Sequence, residues 1–419
     1  MEMREDTVFQ AFREIIRIPS VTGTEGEEQV CAFLEKILGE YGIASERITR
    51  VPGRPNLLAE IRAEHPTEPP LVLISHVDVV PAEAEEWRRP PFSADLAESR
   101  VWGRGTVDTK HLTMMELYAF VHLKGHEVEM NRDVRFLATI DEEQGSEYGM
   151  GWVRQERPEL FRGAVVINEG GGFPLRINGK NYVMLTVGEK AVCRVRLRTV
   201  ETDDGSAMLK MAGGLRRIFG TEGALQAGNR ATQEAMRAEA GTAEWDNPVG
   251  ADIFGYSGQN SITMRNYRIG VKHGEHPAAA EAEVDFKVLP GAVREEVEAY
   301  LRDSLKGTEV QWEVLSWEES VESGAADPHL QEFIGMLTEA CSRNGFEGGV
   351  MPMLALGRTD GRFFAGMDSA VYGCSPLLMG DSFDAILPRV HGKDENILET
   401  SFRFGCRVLD EVIARTAGI

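Results

Sequence analysis

Short apolar runs alternate with helical segments through the first half of the chain and again near its end. The runs cover residues 71–74, 134–140, 164–167 and 369–372. Such short, almost wholly apolar runs are typical of strands that are covered on both faces of a parallel sheet. Apolar residues at helical spacing predict helices at 9–18, 25–38 and 109–123. This alternation predicts an α/β fold with a mostly parallel sheet.

The pattern changes after about residue 185. Val192 to Leu197 alternates apolar residues with arginine, which predicts a half-exposed antiparallel strand. Further strands are predicted at 262–271, 282–289 and 310–317, and helices at 208–219 and 293–305. This order predicts a smaller inserted α+β domain that has a four-stranded antiparallel sheet and two helices. We assign residues 187–319 to this inserted domain, and residues 1–186 and 320–419 to a discontinuous larger one.

The charge balance excludes several classes of partner. The chain of 419 residues carries 67 acidic and 45 basic residues, which gives a net charge of −22. A protein this acidic does not hold a nucleic acid backbone or an anionic membrane surface by non-specific attraction. We therefore expect no nucleic acid and no membrane as a partner.

Cysteine use and the N-terminal segment indicate the compartment. The five cysteines lie far apart and form no CxxC motif, which is typical of reduced thiols. The first residues predict a charged amphipathic helix without the apolar centre of a signal peptide. No stretch reaches the roughly 18 apolar residues of a membrane span. We predict a cytoplasmic protein.

Acidic and histidine side chains stand where predicted strands end or where a helix begins. These positions are His76, Asp108, Glu142, Glu143 and Glu169. The carboxyl ends of parallel strands form the ligand crevice of an open α/β sheet, so these side chains are expected to converge. Their negative charges repel one another unless cations neutralise them. With His391 as a second imidazole, the set suits zinc, with cobalt or manganese as alternatives.

Seven motifs, in order over nearly the whole chain, carry a family resemblance. They read SHVDVVP, WRRPPFS, GRGTVDTK, IDEEQGS, NEGGG, GRTDGRFF and VHGKDEN. Together they resemble the signatures of the dinuclear-zinc exopeptidase and amidohydrolase family, which includes aminoacylase, carboxypeptidase G, carboxypeptidase S and succinyl-diaminopimelate desuccinylase. The resemblance implies a zinc-exopeptidase-like catalytic domain and identifies the inserted domain as a lid, which often forms a homodimer in this family.

The resemblance also implies a metal-ligand set. In it, Asp108 bridges two zinc ions, His76 and Glu169 complete one site, and Glu143 and His391 complete the other. The family has a cis peptide bond after the bridging aspartate, which here is the bond between Asp108 and Thr109.

Two further residues receive catalytic roles from the same resemblance. Glu142 is the expected general base, which takes a proton from the attacking water and delivers it to the leaving amine. Asp78 is expected to accept the imidazole N–H of His76 and so to fix its tautomer.

The lid departs from the family at three positions that usually contact substrate. The segment ETDDGSA (201–207) has no histidine where the family has one, Gly274 stands in place of an asparagine, and Lys287 stands in place of the carboxylate-binding arginine. Lysine offers a point charge instead of a bidentate fork. Replacement groups are sought among His273, His276, Arg265, Asn266, Arg358 and Arg362, and we predict Lys287, Arg358 and Arg362 as substrate-binding residues.

Three side chains near these motifs are interpreted as non-catalytic. Asp203 and Asp204 are read as a solvated turn in preference to a site for a cationic substrate group. Cys374, at the end of a predicted strand, is read as a buried inert thiol.

The predicted function is metal-dependent hydrolysis of an amide bond in a small peptide or an N-acyl amino acid. The motifs favour the carboxypeptidase S and aminoacylase branch. Two alternatives are open: deacylation or decarbamoylation of a small metabolite without a free carboxylate, or a binding protein that keeps the metals without turnover. Retention of Glu142 together with all five metal-ligand positions argues against the second alternative.

Overall fold

The computed structural model describes residues 3–203, 206–220, 225–271, 278–324 and 328–419. The described chain forms a ten-stranded mixed sheet, a four-stranded antiparallel sheet and a small three-stranded sheet. The first sheet lies in the larger domain predicted from the sequence, called the catalytic domain below, and the second lies in the predicted lid.

The chain as far as the lid forms helices and strands in alternation. The helices are α1 (Glu5–Ile16), α2 (Gly26–Glu40), α3 (Lys110–His122) and α4 (Met150–Glu156). The strands are β1 (Ser45–Val51), β2 (Arg54–Ile61), β3 (Leu71–His76), β4 (Asp95–Ala97), β5 (Arg100–Trp102), β6 (Val134–Thr139), β7 (Val165–Asn168), β8 (Pro174–Ile177) and β9 (Lys180–Glu189).

The lid follows, and the chain then returns to the large sheet. The lid range contains β10 (Ala191–Val200), α5 (Ala207–Gly220), α6 (Ala231–Ala240), α7 (Pro248–Tyr256), β11 (Ser261–Val271), β12 (Ala279–Val288), α8 (Arg294–Ser304) and β13 (Gln311–Glu318). The returning part contains β14 (Val321–Glu322), α9 (Pro328–Arg343), β15 (Gly349–Leu354), β16 (Ala370–Gly373), α10 (Phe383–Ile386), β17 (Asn396–Leu398) and α11 (Glu399–Thr416).

Parallel strands form the centre of the large sheet. Its order is β1-β2-β6-β3-β7-β16-β9-β14, and β8 and β15 also pair with β9. The central strands β6, β3, β7 and β16 run parallel, and antiparallel strands flank them. Because β3, β6 and β7 are adjacent and parallel, their carboxyl ends meet at one edge, where the predicted site residues begin.

Helix α3 is buried around its whole circumference. Every residue from Lys110 to Val121 is buried, because the helix packs between the sheet strands on one side and α1 and α11 on the other. Most of its side chains are apolar, as an interior helix requires, and the buried polar residues Lys110, His111, Thr113 and Glu116 are the exceptions. The helix begins two residues after Asp108, so this packing holds Asp108 at the edge of the sheet.

The lid sheet has the order β11-β12-β10-β13, and all its pairings are antiparallel. On β10, Cys193, Val195 and Leu197 are buried in a core that α5 and α8 complete, so the alternating arginines occupy the opposite face. The predicted α/β class with an antiparallel lid and its two helices is confirmed.

Helices α6 and α7 lie in the lid range but pack elsewhere. Met236 of α6 and Ile253 of α7 share an apolar cluster with β8, β9 and β15 of the large sheet. The segment 231–256 is therefore an addition to the catalytic body, although the chain enters and leaves it through the lid. Among the described residues, no helix has the length and apolarity that crossing a membrane requires.

Candidate active site

The predicted site residues lie at the carboxyl edge of the central strands. His76 ends β3, and Glu169 directly follows β7. Glu142 and Glu143 follow β6 after a turn in which Asp141 has φ of +67°. The peptide bond between Asp108 and Thr109 is cis, as predicted.

Two groups of potential metal ligands converge here, and they share Asp108. One group is His76, Asp108 and Glu169; the other is Asp108, Glu143 and His391. In each group, the nearest ligand atoms all lie within 4.8 Å of one another. The structure thus brings together the five side chains that the sequence predicts as ligands, in two groups that share Asp108. Their role as metal ligands stays a prediction.

The distances place the Asp108 carboxylate between the two imidazoles. Its Oδ1 lies 3.0 Å from Nε2 of His76, and its Oδ2 lies 3.1 Å from Nε2 of His391. Nε2 of His391 also lies 2.8 Å from the Glu143 carboxylate, and Nε2 of His76 lies 3.6 Å from the Glu169 carboxylate. Imidazole and carboxylate donors in this arrangement fit divalent cations, and Asp108 has one oxygen for each site.

The electrostatics of the cluster favour bound cations. Burial, together with Asp108 and Glu143, raises the pKa of Glu169 to about 7, although His76 opposes this. Hydrogen bonds to Asp108 and Glu143 raise the pKa of His391 to about 10. Without cations, protons must therefore supply the positive charge that these carboxylates require.

Asp78 contacts His76 through its backbone as well as its side chain. The carbonyl oxygen of Asp78 lies 2.9 Å from Nδ1 of His76, and the nearer carboxylate oxygen lies 3.6 Å away. An Nδ1–H donated to this carbonyl directs Nε2 toward Asp108 and Glu169, which is the orientation that a ligand needs. The backbone carbonyl is the closer of the two acceptors on Asp78.

Glu142 lies in the cleft beside the candidate metal sites. Burial raises the pKa of Glu142 well above the usual carboxyl range, the charge of Glu169 adds to this, and Arg362 opposes it. Nη1 of Arg362 lies 3.5 Å from the Glu142 carboxylate. The Arg362 side chain is 9% exposed and donates a hydrogen bond to the backbone carbonyl of Thr359, so it is anchored inside the site.

An apolar cavity of about 250 Å³ opens on one side of this centre. Asp108, Glu142, Glu169, Arg358 and His391 are the charged or titratable residues of its wall. Its apolar wall comprises Val107, Phe173, Ala355, Leu356, Phe383, Ile386, Leu387 and Val390. The sequence analysis did not identify these residues, because they come from loops and short helices that have no periodic pattern.

A larger cavity of about 810 Å³ lies between the lid and the catalytic domain. Glu142, Arg358 and His391 line both cavities. Of the candidate substrate-binding residues, Arg358 and Arg362 line this second cavity, and Arg265 of the lid does as well. Arg194 on β10 and Arg154 on α4 are further lining residues that the sequence analysis did not identify. The sequence signal that could have identified Arg194 is the alternation of apolar residues with arginines along β10.

The remaining candidates lie apart from the two cavities or outside the described residues. Lys287 and Asn266 line neither cavity, and Asp203 is exposed in a turn. Cys374 is buried, and burial raises its pKa well above that of an ordinary thiol. Asp204, His273, Gly274 and His276 lie outside the residues that the structure describes.

The chain is similar to known proteins over nearly its whole length. N-fatty-acyl-amino acid synthase/hydrolase PM20D1 of Xenopus tropicalis is 23% identical over 94% of this chain and 83% of its own length. Aminoacylase-1 of Sus scrofa is 22% identical over 97% of this chain and 95% of its own length. In fold, the chain is similar to the M20 family metallo-carboxypeptidase Sso-CP2 from Sulfolobus solfataricus, with a TM-score of 0.71 and 19% identity over 97% of this chain and 98% of that one.

A family profile decides the assignment. Residues 72–415 match the description "Peptidase family M20/M25/M40", and this range contains all five predicted ligands and Glu142. The match confirms the resemblance found in the motifs and the enzymatic nature of the chain. The chain belongs to peptidase family M20/M25/M40 and is a hydrolase of the metallopeptidase and amidohydrolase type.

Proposed function

We propose that the chain hydrolyses the amide bond of a small peptide or an N-acyl amino acid, with Glu142 as the general base. One observation carries this proposal: Glu142 lines the same cavity as Asp108, Glu169 and His391, beside two ligand groups that share Asp108. A general base must lie within reach of the water that it deprotonates, and the position of Glu142 in this cavity supports that role.

The proposed cofactor is a pair of zinc ions, with cobalt or manganese as alternatives. The first ion would be held by His76, Asp108 and Glu169, and the second by Asp108, Glu143 and His391. When bound, such ions supply Lewis acidity that favours deprotonation of a water and polarises an amide carbonyl.

The side chains of the protein then perform the proton transfers. Glu142 accepts a proton from the attacking water and returns it to the leaving amine, so the carboxylate is restored after each turnover. The raised pKa of Glu142 makes its carboxylate a stronger base than an ordinary carboxylate, which suits it to accept the proton of the water. Asp78 keeps Nε2 of His76 directed at the ligand cluster throughout.

The apolar cavity supports a substrate that has an apolar group next to the scissile amide. Aliphatic and aromatic side chains such as Phe173, Ile386 and Val390 form its wall, so an apolar acyl chain or amino-acid side chain gains free energy by leaving water there. The similarity to aminoacylase-1 and to the N-fatty-acyl-amino acid hydrolase favours an N-acyl amino acid. A cytoplasmic location and a homodimer through the lid stay predictions from the sequence.

The substitution Glu142→Gln tests the general-base role. We expect the variant to keep its metal content and to lose turnover by about 10²–10⁴-fold, because the amide cannot accept the proton. Turnover is measured on a panel of dipeptides and N-acyl amino acids with added zinc, cobalt or manganese, and bound metal by elemental analysis. Glu147→Gln is the matched control, since this nearby glutamate is 67% exposed and pairs with Arg50. Near-normal turnover by Glu142→Gln with metal bound would refute the role.

A further inference from the structure

Glu395 lies where two motifs of the site meet. Strands β5 and β17 form an antiparallel pair, and directly beyond its end the backbone N–H of Gly103 donates a hydrogen bond to the carbonyl of Glu395 at 2.9 Å. This pairing brings VHGKDEN (390–396) alongside GRGTVDTK (103–110). The side chain of Glu395 is therefore next to the turn that carries Asp108.

The Glu395 carboxylate is fully buried and accepts hydrogen bonds from the backbone of that turn. Its Oε1 lies 2.6 Å from the backbone nitrogen of Val107 and 3.1 Å from that of Asp108. Its Oε2 lies 3.1 Å from the backbone nitrogen of Gly105 and 2.7 Å from Nη1 of Arg104. Hydrogen bonds to an ionised acceptor are stronger than those between neutral groups. The backbone of Asp108 is therefore held in place by Glu395.

Arg104 connects the same carboxylate to the turn that carries His391. While its Nη1 binds Glu395, its Nη2 donates a hydrogen bond to the carbonyl of Gly392 at 2.9 Å. The Arg104 side chain is 3% exposed, and its Cζ lies 5.2 Å from the ring centroid of Trp87. His391 has φ of +55°, a backbone conformation that residues other than glycine keep only where their surroundings hold it. The buried ion pair supplies such support to this turn.

The two turns carry proposed ligands that the large sheet does not hold. His76 ends β3 and Glu169 directly follows β7, so neighbouring strands fix both of them. Asp108 and His391 lie outside the strands of that sheet, and Oδ2 of the aspartate is 3.1 Å from Nε2 of the histidine. This distance depends on how the two turns are joined, and the Glu395 carboxylate joins them through buried hydrogen bonds.

We propose that Glu395 is a positioning residue, which holds the carboxylate of Asp108 and the imidazole of His391 at the separation that a shared cation requires. It acts through the backbone of Asp108 and through Arg104, and it lines neither cavity. The ligand group of Asp108, Glu143 and His391 depends on this support more than the group that has two ligands held by strands. The inference rests on the proposed ligand set and adds a residue outside it.

Titration of the metal-free protein with cobalt(II) tests this role without any substrate. The visible absorption of bound cobalt reports each ion, and Glu395→Gln replaces one acceptor oxygen by an amide nitrogen that cannot accept a hydrogen bond. We expect the affinity for one of the two ions to fall about 10–100-fold and the affinity for the other to stay near the wild-type value. In a His391→Ala background, Glu395→Gln is expected to cause little additional loss, because both changes act on one ligand group.

Two further variants complete the test. Arg104→Lys keeps the positive charge but replaces the two nitrogens that bind Glu395 and Gly392 by a single amine, so it is expected to weaken the same ion. Arg88→Gln is the matched control: Nε of Arg88 lies 2.8 Å from Asp394 in the same turn, but this side chain is 68% exposed and the ion pair lies at the surface. It is expected to keep both affinities. Urea unfolding of each variant shows whether the fold is retained.

The outcomes separate this role from a general effect on folding and from the proposed function. Wild-type affinities in Glu395→Gln, equal weakening of both ions, or the same loss in Arg88→Gln would overturn the positioning role. If Glu395→Gln does not fold, Arg104→Lys decides by the same criteria. If the wild type binds fewer than two ions, the ligand assignment fails, and this inference fails with it. If it binds two ions but hydrolyses no member of the substrate panel, the proposed amide hydrolysis fails and the positioning role is kept.

Discussion

The carboxylate of Asp78 accepts a hydrogen bond from the backbone N–H of Glu142, with Oδ1 3.2 Å from the nitrogen. Its other oxygen lies 3.4 Å from the backbone nitrogen of Glu143 and 2.8 Å from the hydroxyl of Thr22. The backbone carbonyl of Asp78 meanwhile lies 2.9 Å from Nδ1 of His76. One buried residue therefore contacts His76 and Glu143, the proposed ligands, and Glu142, the proposed base.

Replacing Asp78 tests whether this residue positions His76, Glu142 and Glu143 together. In Asp78→Asn, the amide keeps one acceptor oxygen but presents N–H donors to a backbone N–H that needs an acceptor. We expect a loss of about 10–100-fold in metal affinity or in kcat/KM, which is typical when a residue supporting metal ligands is changed. Metal titration and steady-state kinetics measure the two quantities. Asp95→Asn serves as the control, because this side chain is 45% exposed and pairs with Arg89. Wild-type values for Asp78→Asn in both assays would contradict the coupling.

Because Asp108 belongs to both ligand groups, its replacement is expected to remove more metal than the replacement of His391. Asp108 belongs to both ligand groups, whereas His391 belongs to one and its side chain is 54% exposed. We therefore expect Asp108→Ala to lose both ions and His391→Ala to lose one. Elemental analysis after removal of free metal gives the metal-to-protein ratio for each variant. Equal metal content in the two variants would show that Asp108 does not bridge the sites.

The apolar cavity predicts how activity changes with acyl chain length. Each methylene that leaves water on binding contributes about 0.8 kcal/mol, which corresponds to about a fourfold gain in kcat/KM until the cavity is filled. A series of N-acyl derivatives of one amino acid measures this slope. Leu387→Asp places a charge among the apolar wall residues. In this variant, kcat/KM is expected to increase much less with each added methylene. A wild-type series without any dependence on chain length would rule out the cavity as the acyl site.

The metal ligands were accessible from the sequence because their positions follow from sheet geometry. The apolar runs identify β3, β6 and β7, and residues directly after parallel strands meet at one edge. This argument places His76 and Glu169 at the edge of the sheet, and their prediction as metal ligands rests also on the family resemblance. The division of the ligands between two ions, the role of His391 and the cis bond after Asp108 came from the family resemblance, since local patterns carry no such information.

Other features depend on tertiary contacts that the sequence does not encode locally. Helices α6 and α7 were not predicted from the sequence, and their packing on the large sheet through Met236 and Ile253 is a tertiary contact. Substrate binding was predicted for Lys287 because it aligns with the carboxylate-binding arginine of the family, and Lys287 lines neither of the two cavities. Register across three strands brings Arg194, Asp285 and Arg265 together, and register is a long-range property.

Lys190 lies between β9 and β10, where the chain passes from the large sheet into the lid, and it is 3% exposed. Its Nζ donates a hydrogen bond to the carbonyl of Gln259 at 2.7 Å and lies 3.4 Å from the ring centroid of Tyr256. Burial, together with the charge of Lys287, lowers the pKa of Lys190 to about 7. The residue is therefore a buried amine that is largely neutral above pH 7 in the folded protein.

This lowered pKa predicts a pH dependence of stability. Between about pH 7 and the ordinary lysine pKa of about 10.4, the unfolded chain binds a proton at this position that the folded chain does not. The contribution of Lys190 to the free energy of unfolding therefore rises with pH in this window, by up to about 1.4 kcal/mol per pH unit, and is constant below it. The free energy of unfolding is measured by urea denaturation between pH 7 and 9. It is expected to rise less steeply with pH for Lys190→Met than for the wild type. Lys36→Met, at a 76% exposed side chain, should keep the wild-type slope. Identical slopes for Lys190→Met and the wild type would mean that the buried amine keeps its ordinary pKa.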